Sequence, residues 1–297
     1  MNNRRARSPA WALVVATGVL AAGCASPEPP AQPPLPPMFD RPSGAPTLNS
    51  RPVRSVSEYT PTPETDCAYV IRLNVFSVVV PAGAVSCSER LWHYLDEEIT
   101  DAGVSAALNR NGLRVGRGER DDWPAVAALL RDLTGQTPAH QEQILRPGGT
   151  AEIVLVESQP VQRMFVFDRR GCLRGRDYPP GDNVLMLSAR LNTDDPADVT
   201  IHAAPVVRVR RRLPHVVSTD EGVRLTREPK IVPVEPLEFT ARVGQGHYLI
   251  IGPGVAARRA TSPGQRFLAR TDNGLAQEIL LVITPEIFVA ELPTVEP

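Results

Sequence analysis

The chain has 297 residues, with 32 Lys and Arg against 33 Asp and Glu, a formal net charge of −1. That balance speaks against a nucleic-acid binder, which needs a basic excess to neutralise phosphates. The sequence contains no G-x-S-x-G, H-E-x-x-H or P-loop pattern, so nothing positive supports an enzyme.

In chain order, Arg4, Arg5 and Arg7 precede an apolar run of fourteen residues from Ala10 to Gly23. A basic head and a short apolar core have the build of a secretory signal peptide, and the run is short of the roughly 20 residues a spanning helix needs. Ala21, Ala22 and Gly23 stand directly before Cys24. This arrangement resembles the lipobox of bacterial lipoproteins, with Ala21 at the position where Leu is most frequent. The resemblance implies cleavage before Cys24, diacylation of Cys24, and a mature chain tethered to a membrane. Ala25, rather than an acid, follows the cysteine, which by the family's sorting rule implies the outer membrane, facing the periplasm. Simple cleaved secretion also fits the apolar core and the small residues, but the cysteine fits lipidation. Losing three arginines and no acid with the leader moves the formal charge from −1 to −4.

From Ser26 to about Thr65 the sequence is proline-rich and has no periodic apolar signal. Such composition favours extended, polyproline-like chain, a stand-off arm with a reach on the order of 100 Å. A ligand for a proline-recognising domain is the other reading of this stretch.

A folded module is expected over 66–158. AYVIRLNVFSVVV reads as a buried strand. Ser86 with Glu89 fits a capping box, opening a helix whose Leu91, Trp92, Leu95 and Ile99 share one face. A second helix is predicted from Asp101 to Asn111-Gly112, then a strand in GLRVGRG. A third helix enters at Asp122 and Pro124, and a further helical turn or two is placed between Pro138 and Leu145. AEIVLVES closes the module as a strand. The order suggests a small α/β layer with helices packed on a sheet.

Over 159–297 helix signals give way to strands: RMFVFD, NVLMLSARLN, VTIHAAPVVRVRRR, PLEFTARV, HYLIIGP, QRFLART and QEILLVIT. Turn chemistry bounds each of them, and GQG and DNG read as hairpin loops. This half is predicted as an antiparallel β-domain of six to eight strands.

Leu275 to Phe288, LAQEILLVITPEIF, sets an acid, an apolar run, Thr284-Pro285 and Ile287 in the order of the final strand of the secretin domain, and resembles it. ARVGQGHYLIIGPG is similar to a secretin glycine hairpin, and VLMLSARLNTDDPADVTIHAAPVV to an earlier strand pair of that domain. The resemblance covers about the last 110 residues. PGVAARRATSPG replaces the family's Val-Pro-x-Leu-Gly-x-Ile-Pro type run. The implied role is therefore that of a secretin-like β-domain used for something other than a conduit.

The candidate sites are few. His93, Asp96 and Glu97 share a predicted helix face, for which a solvated polar face is the simpler reading than a metal site. His140, His202, His215 and His247 have no ligand spacing. Arg208, Arg210 and Arg212 give one strand a cationic face, suited to anionic lipid or an acidic partner, or to deterring edge pairing. Trp92 and Trp123 read as core anchors. Cys67, Cys87 and Cys172 leave an odd thiol. A Cys67–Cys87 bridge is disfavoured because thirteen extended residues rise roughly 43 Å and the seven remaining return at most about 25 Å.

The fold expected is thus α+β: signal peptide 1–23, lipidated Pro-rich linker 24–65, small α/β module 66–158 and antiparallel β-domain 159–297. The function expected is that of a lipid-anchored envelope protein with a scaffolding role, a secretin-related accessory of a secretion or pilus-type assembly. Its partners would be the membrane, through Cys24, and envelope or secretion-system proteins, through sheet edges. Cys24 is the one functional residue assigned; no catalytic residue, cofactor, metal or nucleic acid is. A ligand-binding lipoprotein would need a concave pocket with convergent polar groups, and a hydrolase a cluster drawn from the five histidines.

Overall fold

A computed structural model describes residues 54–55, 67–134, 136–192, 195, 197–210, 215–219, 222–226 and 228–291. The predicted leader, Cys24 and most of the linker lie outside them. The protein is mostly antiparallel β-sheet with a few short helices, an α+β fold dominated by strands.

A two-residue strand, β1 (Arg54–Ser55), comes first. The expected buried strand follows as β2 (Cys67–Pro81). Its density of β-branched residues is explained by burial on both faces: Ile71, Leu73 and Val75 enter one core while Phe76, Val78 and Val80 enter another. The helix predicted from Ser86 to Ile99 does not form. A single 3-10 turn spans Trp92–Tyr94, after which Leu95 is extended and Asp96 exchanges two 2.8 Å backbone hydrogen bonds with Arg117. Strand-type pairing with a distant segment outcompetes the local helix, yet Leu91 and Trp92 are buried as their periodicity suggested.

Helix α1 (Ala102–Arg110) begins where expected, with the Asp101 carboxylate accepting from the Gly103 and Val104 amides at 2.8 and 3.4 Å. It stops at Gly112, whose φ of +82° is the left-handed cap, and where an added Cβ would run into the backbone of Ala257. Strand β3 (Leu113–Glu119) and helix α2 (Trp123–Leu133), with Pro124 in its first turn, also match. The stretch read as helical turns, however, is strand β4 (Ala139–Leu145). Its polar sequence is that of an edge: it pairs with Ile71–Ser77 of β2 and is otherwise largely exposed. Strand β5 (Thr150–Gln159) follows.

The second half supplies β6 (Gln162–Phe167), β7 (Leu173–Tyr178), β8 (Gly181–Leu191), β9 (Asp198–Val209), β10 (His215–Thr219), β11 (Gly222–Thr226), β12 (Lys230–Pro233), β13 (Phe239–Gly244) and β14 (His247–Pro253). QRFLART, read as one strand, divides into helix α3 (Pro263–Leu268) and strand β15 (Ala269–Asp272), because Pro263 follows a capping Ser262 whose hydroxyl accepts from the Gln265 amide at 3.2 Å. The last strand, β16 (Leu275–Glu291), joins β15 through a two-residue turn with Asn273 at φ 50° and Gly274 at φ 79°. The DNG hairpin is therefore real. GQG makes no hairpin, since β13 pairs with β9 and β14 with β3 and β16. The turn carries the chain from one sheet to another.

The first sheet runs β3-β14-β16-β2-β4, with β1 and β15 also on β16. The second runs β12-β9-β8-β5, with β13 beside β9. Ile71, Leu73, Leu281 and Ile283 of the first share one core with Leu185, Leu187, Ile201 and Phe239 of the second. The other face of the first sheet packs Val78, Ile250 and Leu280 with Val126 and Leu130 of α2 and with Trp92.

The division expected at 158/159 is not a seam in this fold. β2 pairs residue for residue with β16, from Cys67 opposite Glu291 to Pro81 opposite Gln277, and β3 pairs with β14. A strand as apolar as β2 on both faces needs an equally apolar neighbour, and the chain supplies it from its far end.

Candidate docking surfaces

The predicted metal face is dispersed. Asp96 and Glu97 bind Arg117 and Arg114, and His93 lies edge-on to Tyr94 at 6.1 Å. Among the described residues no group of three metal-capable side chains assembles. The histidines have separate neighbours: His140 stacks on Phe76 at 4.5 Å, His202 stands 3.8 Å from Glu238, and His247 opens β14 opposite Glu119. The side chain of His215 lies outside the described residues.

Ser86 and Glu89 form no capping box. The Ser86 hydroxyl and the amides of Gly83, Val85 and Ser86 all donate to the buried carboxylate of Glu278, at 2.5 to 3.1 Å. Glu89 instead makes two bonds to Arg114. Cys87 and Cys172 are free and exposed. The unbroken β2 accounts for the first: Cys67 begins one end of the strand and Cys87 follows the other. Trp92 is a core residue whose Nε1 donates to the Val85 carbonyl at 3.3 Å, and Trp123 packs edge-on to Tyr248 at 5.3 Å.

The cationic strand face is neutralised where it is described. Asp182, its side chain 1% exposed, accepts from Arg208 at 2.9 Å and Arg210 at 3.0 Å, and Arg208 also reaches Glu152 at 2.6 Å. Burial pushes the Asp182 carboxyl up, but the Ser158 amide and the two guanidinium groups outweigh it and hold the group below the usual carboxylate range. Arg211 and Arg212 lie outside the described residues.

Free sheet edges are present, as the docking reading requires. β4 ends the first sheet and β5 the second, each paired on one side among the described residues. On β4, Ile144 is 53% exposed.

β6 and β7 form a separate two-stranded sheet, one strand of which is widely exposed. Met164 and Val166 of β6, with Tyr178, fill the main core, while β7 is exposed from Leu173 to Asp177. Side-chain amides hold β6 at both ends. The fully buried Asn183 exchanges hydrogen bonds with Gln162 at 2.6 and 3.1 Å. The equally buried Asn111 donates to the Phe167 carbonyl and accepts from its amide, both at 2.8 Å, so it stands in for a neighbouring strand. On the outward face Phe165 lies over Gly175, Leu173 stands opposite Phe167, and both Phe165 and Leu173 are exposed. Arg169 and Arg170 occupy the turn, and Arg174 and Arg176 lie along β7. Arg163 is paired with Asp177 and Arg174 with Asp168; Arg169, Arg170 and Arg176 make no ion pair among the described residues. Sequence reasoning read Asp168 to Gly171 as a turn and missed this cluster. The signal was there in arginines repeating across a glycine turn.

An open depression of about 470 Å³ lies beside β16, lined by Gly83, Cys87, Arg258, Gln265, Arg270 and Gln277 among others. Its carboxylate, Glu278, is engaged by the loop amides just described. No helix among the described residues is long and apolar enough to cross a membrane.

No protein-family model matches the chain, and no curated protein does. Solved secretin structures do. The InvG secretin-domain β-barrel of a Salmonella injectisome is 9% identical, covering 78% of this chain and 62% of its own, with a TM-score of 0.17. The PilQ secretin of the V. cholerae competence pilus is 10% identical, covering 77% and 58%, with a TM-score of 0.18. The type II secretin GspD of enteropathogenic Escherichia coli is 10% identical, covering 77% and 68%, with a TM-score of 0.15. This chain thus spans less than two thirds of the InvG and PilQ chains. The secretin likeness is weak in shape as it is in sequence.

Proposed function

We propose that the chain is a lipid-anchored envelope protein with a scaffolding role, an accessory that joins parts of a secretion or pilus-type assembly by strand addition. The observation that carries the reading is the edge of β4, a seven-residue strand at the margin of the first sheet that is paired on one side only among the described residues, which leaves its outer backbone groups to an added strand. Two features of the sequence agree with it: the small residues before Cys24, and the secretin-like order of the last strand. No catalytic step is part of the proposal.

The test is a photo-cross-linking amino acid placed at Ile144 in cells, with Val255, exposed but off the strand edges, as control. Cross-linking from position 144 alone to a component of an envelope assembly is the expected result. Equal labelling from both positions counts against edge docking. Mass spectrometry of the mature N-terminus should find acyl chains on Cys24, and a native product without them removes the anchor.

A further inference from the structure

We infer that the β6–β7 hairpin is a second membrane contact, which docks on the headgroup layer of an anionic bilayer. The inference rests on the lipid-anchored reading, because the anchor brings the folded body to a bilayer in the first place.

Charge is the first argument. The hairpin, residues 161–178, holds five arginines against two aspartates, in a chain whose overall charge is negative. The comparable cluster on β9 is cancelled by Asp182 and Glu152, whereas three of the hairpin arginines make no ion pair among the described residues: Arg169 reaches only the Glu238 carbonyl, Arg176 lies over the Tyr178 ring, and neither contact neutralises charge. Arginines crowded on one projecting element repel each other unless an anionic surface meets them. Guanidinium groups suit lipid phosphates, which they bind through paired N–H donors.

Apolar side chains are the second argument. Val161, Phe165 and Leu173 are 64%, 38% and 50% exposed. Phe165 and Leu173 share the outward face, with the Arg163–Asp177 pair beside them. Arg174 and Arg176 stand on the other face of β7, opposite Val166 and Met164, and Arg169 and Arg170 lie in the turn, so the cations flank the apolar face. Apolar groups flanked by arginine fit a headgroup layer, where the aliphatic and aromatic parts enter the acyl boundary and the cations stay at the phosphates. An acidic protein partner would satisfy the charge but not the exposed Leu173 and Val161 at the ends of the face. Rigid mounting is the third. Asn111 and Asn183 fix β6, so the hairpin is presented in one orientation and little ordering is needed on contact.

Cys172, exposed beside the turn, is a built-in reporter. The mature chain as isolated from cell membranes, with Cys67 and Cys87 replaced by Ser, is labelled there with a polarity-sensitive fluorophore and reconstituted into vesicles carrying nitroxide lipids. In phosphatidylglycerol-containing vesicles the label should be quenched by the lipid nitroxide. In pure phosphatidylcholine it should not. Replacing Arg169, Arg170 and Arg174 by Glu should reduce the quenching at least tenfold, with an unchanged melting temperature because all three are exposed.

The outcomes separate the two readings. A chain that floats with both vesicle types while its label stays open to aqueous iodide keeps its anchor and overturns the hairpin contact. Flotation with anionic vesicles alone supports the hairpin and removes the anchor. Flotation with neither overturns both. A label shielded only when native envelope proteins are present overturns the lipid contact in favour of a protein partner.

Discussion

Two arginine-rich hairpins of this protein make opposite use of the same side chain. On β8 and β9, Arg208 and Arg210 converge on Asp182, a carboxylate with almost no exposure, and the charges are consumed within the fold. On the β6–β7 hairpin Arg163 meets an exposed Asp177, Arg174 a half-buried Asp168 at the turn, and the other arginines no acid among the described residues. The difference is depth rather than charge density. An acid within a sheet face is fixed in place by the strand that carries it, whereas an acid on a projecting hairpin competes with water.

Removing the buried member should have the largest effect. Asp182→Ala leaves Arg210 and the Ser158 amide without this buried acceptor and Arg208 with Glu152 alone, and should cost about 3 kcal/mol in a denaturant titration. A cost close to zero would mean the β9 cluster is as loosely held as the hairpin. Next come the amides that mount β6. Asn111→Ala or Asn183→Ala strands buried backbone or side-chain partners and should cost about 2 kcal/mol each. Amide exchange should accelerate most in β6 and β7, and a uniform change across all strands would contradict the view of the hairpin as a separately mounted element.

Acid should act on the same contrast. The Asp182 carboxyl sits below its ordinary value in the folded chain, so its contribution is complete above about pH 4 and fades as pH falls through the lower folded value. Stability measured from neutral pH downward should therefore drop more steeply in that acid range for the natural protein than for Asp182→Ala. Parallel curves would remove Asp182 as the titrating group.

Much of the backbone was legible in the sequence, and the parts that were not share a cause. β2, α1, β3, α2 and most later strands follow from periodicity and caps, which are local. The helix expected around Trp92 and the helical turns expected around Gln141 were overruled by distant strands: Arg117 takes the backbone of Asp96, and β2 takes β4. Glu278 shows the same limit. It was legible as the acid opening a secretin-like strand, but nothing local foretold that three amides nearly two hundred residues upstream close around its carboxylate. The two-module division failed likewise, because the neighbour β2 requires is β16.

The smallest effect is the most discriminating. The Arg163 bond holds the Asp177 carboxyl below the usual range, as Asp182 is held, yet both partners of this pair are exposed and the pair is screened. Asp177→Asn should accordingly leave the melting temperature unchanged. It also raises the positive charge of the hairpin by one. If the hairpin meets anionic lipid, the same substitution should strengthen quenching at Cys172 by up to roughly five-fold at low salt, and salt should abolish the gain. A lowered melting temperature with unaltered quenching would place Asp177 with Asp182, as part of the fold, and would leave the hairpin arginines without the role their exposure implies.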